Sequence, residues 1–315
     1  MLEHRNYGNI PLENMKDLAT TIFVIIDDLY RESIPDSIKY RTNADKKELS
    51  DSEIIAIAVL GEAMSNDSEK AWLSFVSRNL RDLFPQMTDR SRFNRVKRNL
   101  AWAIQHVRIC LNGLLNLPMP DLRIADSAPL RVCEFGRACF TKSFKGYGAA
   151  YGYCPSKKET YFGYKLHVLC ATNGVVTDFA VGPADVDDRE ALWELTEPYK
   201  GGLWVIGDKG YVGADFADGL LQENGARLVC LKRRNAKEQY PKGFRRKIFK
   251  IRRRVETTFS QLADQFKIET TRAKSYRGLL VRLNVKVLAY NLCFFINQLL
   301  GLPPSEIPKI KGLVF

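Results

Sequence analysis

The feature of this sequence that most constrains its fold is a change in hydrophobic period close to residue 116. Before that point, apolar residues recur three and four positions apart, which is the spacing of helices buried along one face. Beyond it, short apolar runs separated by turn residues are typical of strands. Pro118 and Pro120 stand between the two patterns and prevent a helix from continuing. The sequence therefore predicts a helical domain over residues 1–115, a linker over 116–123 and a second domain over 124–315.

Four amphipathic helices are predicted in the first domain, over residues 18–32, 50–65, 69–84 and 87–115. Ser50 and Glu53 fit a capping box at the start of the second helix, and Thr88 or Asp89 can cap the fourth. The first turns of the fourth helix are strongly basic and carry Arg90, Arg92, Arg95, Lys97 and Arg98. Such a helix suits the recognition element of a helix-turn-helix unit that binds DNA. The alternative is an amphipathic helix with a solvated basic face.

The second domain is predicted to hold a mixed sheet with helices on its faces, a fold of the α+β or α/β class. Three strands come first, over residues 122–132, 161–174 and 175–185, and Asn173-Gly174 marks a hairpin turn between the last two. Helices and strands then alternate, with helices at 188–198 and 214–224 and strands at 202–208 and 226–233. Asp188 is interpreted as the cap of the helix that it begins. A final apolar helix is predicted over residues 277–300.

The chain carries a net charge of +12, and most of the excess lies in one segment. Residues 231–254 contain twelve Lys or Arg and one acid, Glu238, a net charge of +11. Lysine and arginine bind polyanions because neutralising phosphates releases condensed counterions. A solvated face or a flexible loop is the ordinary interpretation of such a run. Its position directly before Glu256 favours contact with DNA.

The cysteine pattern and hydropathy predict a reduced, soluble protein of the cytoplasm. Seven cysteines occur with no C-x-x-C pair, and the three histidines are scattered, so a zinc module is not expected. The N-terminus lacks the apolar core of a signal peptide. The most apolar stretch, residues 287–302, is shorter than the roughly 20 residues of a membrane span.

Three carboxylates stand where metal chemistry on phosphodiesters would need them. Asp126 follows Ile124 on one face of a predicted strand, Asp208 ends a second strand, and Glu256 lies on the flank of a basic helix. Carboxylate oxygens are the ligands that hard divalent cations prefer, and a pair of such ions can clamp both reacting oxygens of a phosphodiester. Each acid also has an ordinary interpretation, Asp208 as a turn residue and Glu256 as an exposed ion pair with Arg252.

Together these residues resemble the DDE transposases of bacterial insertion sequences, which are similar to RNase H and retroviral integrases in fold. The resemblance rests on four motifs: Ala125-Asp126-Ser127, Gly163-Tyr164-Lys165-Leu166-His167, Gly207-Asp208-Lys209-Gly210-Tyr211, and Arg252 to Ser260 around Glu256. The helical region that precedes them resembles the end-binding part of such enzymes. Phe249 and Ala263 depart from the Tyr and Lys that many relatives carry on the Glu helix.

The resemblance implies an RNase H-like catalytic domain that cleaves and transfers DNA strands at terminal inverted repeats. It implies two Mg²⁺ (or Mn²⁺) ions per site, held by Asp126, Asp208 and Glu256. The expected partners are double-stranded DNA, both repeat and target, and a second copy of the chain on DNA, at the nucleoid of a bacterial cell. Expected DNA contacts in this domain are Lys165, Lys209, Arg245, Arg246, Arg252 and Arg253. His167 and Tyr211 are expected to support the site.

Two other functions stay open on the sequence alone. One is a catalytically silent DNA-binding regulator derived from a transposase, and the other is a plain nuclease of the same fold. The loop over residues 141–160 interleaves Tyr, Lys and Gly. It suits stacking on unpaired bases equally as well as it suits the tip of a mobile hairpin.

Overall fold

A computed structural model describes residues 12–42, 48–155, 157–199, 201–232 and 239–303. Residues 233–238 of the basic run lie outside this part of the chain. The fold comprises two compact units. The first combines residues 12–115 with 265–303, and the second spans residues 116–264.

The described helices, numbered in chain order, are α1 Met15–Ser33, α2 Asp36–Lys39, α3 Asp51–Ala63, α4 Glu69–Asn79, α5 Arg90–Asn99, α6 Ala101–Leu114, α7 Lys142–Lys145, α8 Asp188–Thr196, α9 Ala214–Asn224, α10 Lys242–Asp264 and α11 Tyr276–Leu299. The described strands are β1 Leu122–Arg131, β2 Ala150–Cys154, β3 Glu159–Ala171, β4 Val176–Pro183, β5 Trp204–Gly207 and β6 Arg227–Cys230. Short 3₁₀ turns follow β1, α8 and β5.

Most helices of the first unit, namely α1, α3, α4, α5 and α11, begin at a capping residue whose side chain accepts hydrogen bonds from free backbone N–H groups. Ser50 and Glu53 form the predicted capping box at α3, and Asp89, rather than Thr88, caps α5. The predicted fourth helix is divided in two, because α5 ends at Asn99 and α6 begins at Ala101, with Leu100 between them. The sequence pattern hides this break, since the buried stripe from Phe93 through Leu100 to Ile104 continues across it.

Helix α11 forms the centre of the first unit and packs against α3 and α6. By length and composition it could cross a membrane, but 83% of its most apolar window is buried. A helix that is apolar all round must be covered on every side, and the N-terminal helices provide that cover. The sequence assigned residues 265–315 to the strand-containing domain, whereas α11 belongs to the compact unit of the N-terminal helices.

The second unit is built on one mixed six-stranded sheet among the described residues. Strand β3 pairs antiparallel with β1 along one edge and with β2 and β4 along the other. Strands β5 and β6 continue the sheet beyond β1 in parallel pairing. The predicted hairpin between β3 and β4 is present, with Gly174 at φ 102° in its turn. A mixed sheet flanked by helices is compatible with an RNase H-like domain.

One strand was not predicted from the sequence. The segment 141–160 contains α7 and the edge strand β2, which pairs with the first part of β3. Tyr151 and Tyr153 of β2 are exposed. Their glycine-rich surroundings concealed the alternation of a strand.

Opposite faces of the sheet carry different helices. Ala125 of β1 and Val205 of β5 lie in one core cluster with Leu192 of α8 and Leu220 of α9. The neighbouring residue Ile206 instead packs with Ile248 of α10. Because side chains alternate along a strand, every second residue of β1 and β5 faces α10.

Candidate active site

Asp126 and Asp208 stand side by side on neighbouring parallel strands. Ile124 of β1 pairs with Ile206 of β5. Asp126 comes two residues after Ile124 on β1, and Asp208 comes two residues after Ile206, directly beyond the end of β5. Both side chains therefore lie on the face that α10 covers. Adjacent strands are about 4.8 Å apart, so the two carboxylates are close neighbours.

Asp126 occupies a poorly solvated position, with 23% of its side chain exposed. Its Oδ1 accepts the Ser127 N–H at 2.9 Å, and its Oδ2 lies 3.5 Å from the Arg252 guanidinium. Burial raises the pKa of Asp126 to about 6, with the Ser127 N–H and Arg252 opposing this rise and the Asp208 and Asp188 carboxylates adding to it. A desolvated carboxylate beside a second carboxylate is a place that favours a bound cation.

Asp208 is also a turn residue, which was the alternative interpretation from the sequence. Its Oδ1 accepts the Gly210 N–H at 2.7 Å and caps the 3₁₀ turn Lys209–Tyr211. This bond fixes the direction of the carboxylate at the end of β5. Turn formation and metal ligation are compatible, because an ionised carboxylate accepts through two oxygens and several lone pairs.

Glu256 is exposed on α10, one turn beyond Arg252. In the part of the chain that the structure describes, it forms no ion pair with Arg252, which contacts Asp126 instead. No group of three His, Cys, Asp or Glu side chains among the described residues is arranged to hold a metal ion. The structure thus brings Asp126 and Asp208 together, whereas Glu256 is exposed on α10, one turn beyond the Arg252 that contacts Asp126.

The Asp126–Asp208 pair nevertheless has the character of a divalent cation site. Both donors are carboxylates, which suit Mg²⁺ and Mn²⁺. The cationic group beside them is Arg252, whose Nε is buried without a hydrogen bond in the described structure. The Arg252 guanidinium lies 3.5 Å from Asp126 Oδ2, so it offsets the negative charge of that carboxylate only in part.

Asp188 is not the cap of α8, contrary to the prediction. The cap is Asp187, whose Oδ1 accepts the Arg189 N–H at 2.9 Å. Asp188 turns inward, with its Oδ1 3.2 Å from Lys165 Nζ and 3.5 Å from His167 Nδ1. A Cβ added to Gly210 would lie 3.7 Å from Asp188 Oδ2, so Asp188 borders the turn that Asp208 caps.

His167 lies 3.5 Å from Asp188, on the opposite face of the sheet to Asp126. Asp126 pairs with Val168 and Ser127 pairs with His167, and directly opposed residues share a face. His167 is 1% exposed, and burial lowers its pKa to about 4, although Asp188 acts in the other direction. The imidazole is therefore neutral at neutral pH.

Tyr211 ends the 3₁₀ turn after Asp208 and packs in the core cluster that contains Ala125 and Val205. It is buried, and burial raises its pKa well above the usual value, with further contributions from Asp188, Asp126 and Asp208. Tyr211 therefore keeps its proton and faces the protein interior rather than solvent.

Of the six residues predicted to contact DNA in this unit, Arg252 lies beside Asp126, and the other five fall into two groups. Lys165 is engaged internally, since its Nζ donates to the Val186 carbonyl at 2.8 Å and pairs with Asp188. The exposed group comprises Lys209, Arg245, Arg246 and Arg253. Lys209 and Arg245 line a cavity of about 310 Å³ together with Lys232, Tyr240 and Phe249. Cations and aromatic rings thus line one cavity together with Lys209, the residue that follows Asp208.

The five basic residues predicted to contact DNA in the first unit differ in exposure. Arg90, Arg95 and Arg98 are exposed on α5. Lys97 pairs with Glu69 of α4, and Arg92 lies 3.7 Å from Glu48.

Comparison with known proteins gives one match. A family model described as a transposase DDE domain matches residues 117–292, which is more than half of the chain. No curated protein and no solved structure matches.

Proposed function

Because this chain belongs to the family of transposases with a DDE domain, we propose that it is the transposase of a bacterial insertion sequence. It binds the terminal inverted repeats of the element, cleaves DNA there and transfers the ends to target DNA. The observation that carries the proposal is the pair formed by Asp126 and Asp208 at adjacent strand ends.

Asp126, Asp208 and Glu256 would hold two divalent metal ions, Mg²⁺ or Mn²⁺. Such ions activate an attacking hydroxyl and stabilise the leaving oxygen of a phosphodiester. Support for two of the three ligands comes from the neighbouring carboxylates and the poor solvation of Asp126. Glu256 is proposed from its motif and from its position one turn after Arg252, whose partner is Asp126.

The remaining residues of the site hold and orient the DNA and the carboxylates. Arg252 presents a planar guanidinium beside Asp126 and suits a phosphate of the reacting strand. Lys209 and Arg245, with the rings of Tyr240 and Phe249, suit the backbone and bases of a strand that leaves the site. Asp188 borders the turn after β5 on which the direction of Asp208 depends, and its proposed role is to position that turn.

The first unit is proposed to recognise the inverted repeats through the exposed cations of α5. Two ends are joined in one reaction, so the working form is proposed to be a homodimer assembled on DNA. The cytoplasm of a bacterial cell, at the nucleoid, is the compartment in which this substrate occurs.

The proposal is tested by incubating the purified protein with labelled DNA from the end of its element, in Mg²⁺, and mapping the products at nucleotide resolution. We expect a discrete 3′-OH at the repeat boundary that is absent with Asp208→Ala. Cuts scattered without regard to the repeat would overturn the transposase in favour of a nuclease. Specific binding without any cut would overturn it in favour of a regulator.

A further inference from the structure

A groove of about 460 Å³ runs across the first unit, and basic side chains from several separate segments of the sequence line it. It is bordered by α3, α4, α5, the segment 272–274 and the start of α11. Seven Lys or Arg residues line it against three acids. All of these residues belong to one compact unit, so the groove is a feature of that unit alone.

Cations within the same unit neutralise the three acids. Lys97 pairs with Glu69, and Arg282 and Lys286 both pair with Glu62. Asp67 lies 3.8 Å from Arg272. No acid in the groove is therefore left to repel an anionic ligand.

Four further cations of the groove are exposed and have no carboxylate partner among the residues that the structure describes. They are Lys70 on α4, Arg90 and Arg98 on α5, and Lys274 directly before α11. Exposed cations held close together without counter-charges repel one another, and a polyanion removes that repulsion.

The cations of this cluster come from two distant parts of the sequence, residues 70–98 and Lys274. The Arg277 guanidinium donates to the Arg98 carbonyl oxygen at 3.2 Å, which joins the start of α11 to the end of α5. Arg282 donates to Glu62 at 3.0 Å and holds α11 against α3. Arg98 and Lys274 therefore lie on one surface although 175 residues separate them in the sequence.

We propose that this groove binds the phosphate backbone of double-stranded DNA through a composite surface, made of α5 and of the segment from Arg272 to Arg277. The first part was expected from the sequence, whereas the second lies beyond the proposed catalytic carboxylates in the chain. That the bound polyanion is DNA rests on the proposed function. That the groove binds a polyanion is inferred from the arrangement of charges within the first unit alone.

The experiment measures the affinity of the full-length protein for terminal-repeat DNA in EDTA, at a series of salt concentrations. Lys274→Ala and Arg98→Ala each remove one proposed phosphate contact. Arg31→Ala is the matched control, because Arg31 lies on α1 in the same unit, is 74% exposed and does not line the groove. Unchanged thermal unfolding of each variant checks that the fold is intact.

We expect each groove variant to lower the slope of log affinity against log salt by about 0.9, and the double variant by about twice as much. The control should keep the wild-type slope. Wild-type slopes in both groove variants would overturn this inference while leaving DNA binding, and hence the proposed function, in place. Failure of the wild-type protein to bind any DNA would overturn both.

Discussion

Among the single residues of the sheet, Asp126 is unusual because it places a carboxylate on a strand whose neighbouring side chains are apolar. Its neighbours on β1, Ile124 and Ala125, are apolar and buried, as a central strand requires. A carboxylate in this position loses hydration, which is why burial raises its pKa to about 6. Its presence destabilises the fold near neutral pH, where the charged form predominates. Such a residue suits a site where another group supplies the missing positive charge.

Asp126→Asn is therefore predicted to abolish cleavage without lowering stability. The substitution keeps the shape of the side chain and removes a desolvated charge, so the unfolding temperature should be equal to or above that of the wild-type protein. Cleavage should fall by about a thousandfold or more, since a lost metal ligand costs several kcal/mol in the transition state. Thermal unfolding and DNA cleavage are measured on the same preparation. Wild-type cleavage, or a large loss of stability, would contradict this explanation.

Asp188 and Asp187 offer a matched pair for testing the positioning of Asp208. Asp188→Asn removes the charge that faces Lys165 and the turn at Gly210, so cleavage at saturating DNA should fall about tenfold or more. Asp187→Asn should have little effect, because Asn also caps helices well. DNA affinity should be unchanged in both variants. Equal cleavage rates in the two variants would show that Asp188 has no such role.

The roles of Asp187 and Asp188 could not be predicted from the sequence, unlike those of Asp126 and Asp208. Asp126 and Asp208 can be identified because each is an acid attached to an apolar strand. Asp188 follows Asp187 directly, and a shift of one residue in the start of α8 decides which of them caps the helix and which turns inward. No local pattern determines that register. The inward position of Asp188 is beside Lys165 and His167, which belong to β3, an earlier part of the chain.

At the scale of elements, the pairing of β1 with β3 sets the position of Asp126. Gly163 sits opposite Arg131 in this pair, and a Cβ built on it would lie 2.1 Å from the Leu130 carbonyl oxygen. Only glycine permits so close an approach of the two backbones. The glycine of the motif Gly163 to His167 thus has a structural reason.

Gly163→Ala is predicted to destabilise the protein by about 2 kcal/mol or more, because the strands must separate to admit the methyl group. Gly136→Ala is the control, since nothing lies within 4 Å of a Cβ built there. Urea denaturation of both variants measures the free energy of unfolding. A loss for Gly163→Ala no greater than that for the control would contradict the close approach.

Elements with a long and regular hydrophobic pattern could be predicted from the sequence, and those defined by tertiary contacts could not. The hairpin of β3 and β4 was marked by Asn173-Gly174, and α11 by its continuous apolar run. Strand β2 alternates in burial, but its exposed positions hold Tyr151 and Tyr153 and its buried ones Gly152 and Cys154, so hydrophobicity does not mark its buried face. The boundary between α5 and α6 lies inside one uninterrupted apolar stripe.

At the scale of the whole molecule, the chain returns to its first unit after completing the second. Helix α11 is required by the N-terminal helices, because Lys286 is buried on it and pairs with Glu62 of α3. Asn291 of α11 also donates to Asn112 of α6. Sequence pattern alone divided the chain once, near residue 116, since composition gives no sign that a later helix packs with earlier ones.

A fragment of residues 1–115 is accordingly predicted not to fold as a cooperative unit. Without α11, the apolar faces of α3 and α6 would be exposed and Glu62 would be left without its buried partner. Circular dichroism during heating should show a broad transition for the fragment and a sharp one for the full-length chain. A sharp transition in the fragment would mean that residues 1–115 form an independent domain.

Exchange of the metal ion tests whether Asp208, beside Asp126, binds a divalent metal that acts on DNA. Cleavage of terminal-repeat DNA is measured for Asp208→Cys and Asp208→Ala, in Mg²⁺ and in Mn²⁺. Mg²⁺ is a hard ion that avoids sulfur, whereas Mn²⁺ tolerates a thiolate ligand. We predict that Asp208→Cys is inactive in Mg²⁺ and regains cleavage in Mn²⁺, while Asp208→Ala stays inactive in both. Equal activity of the two variants in both metals would contradict ligation by Asp208.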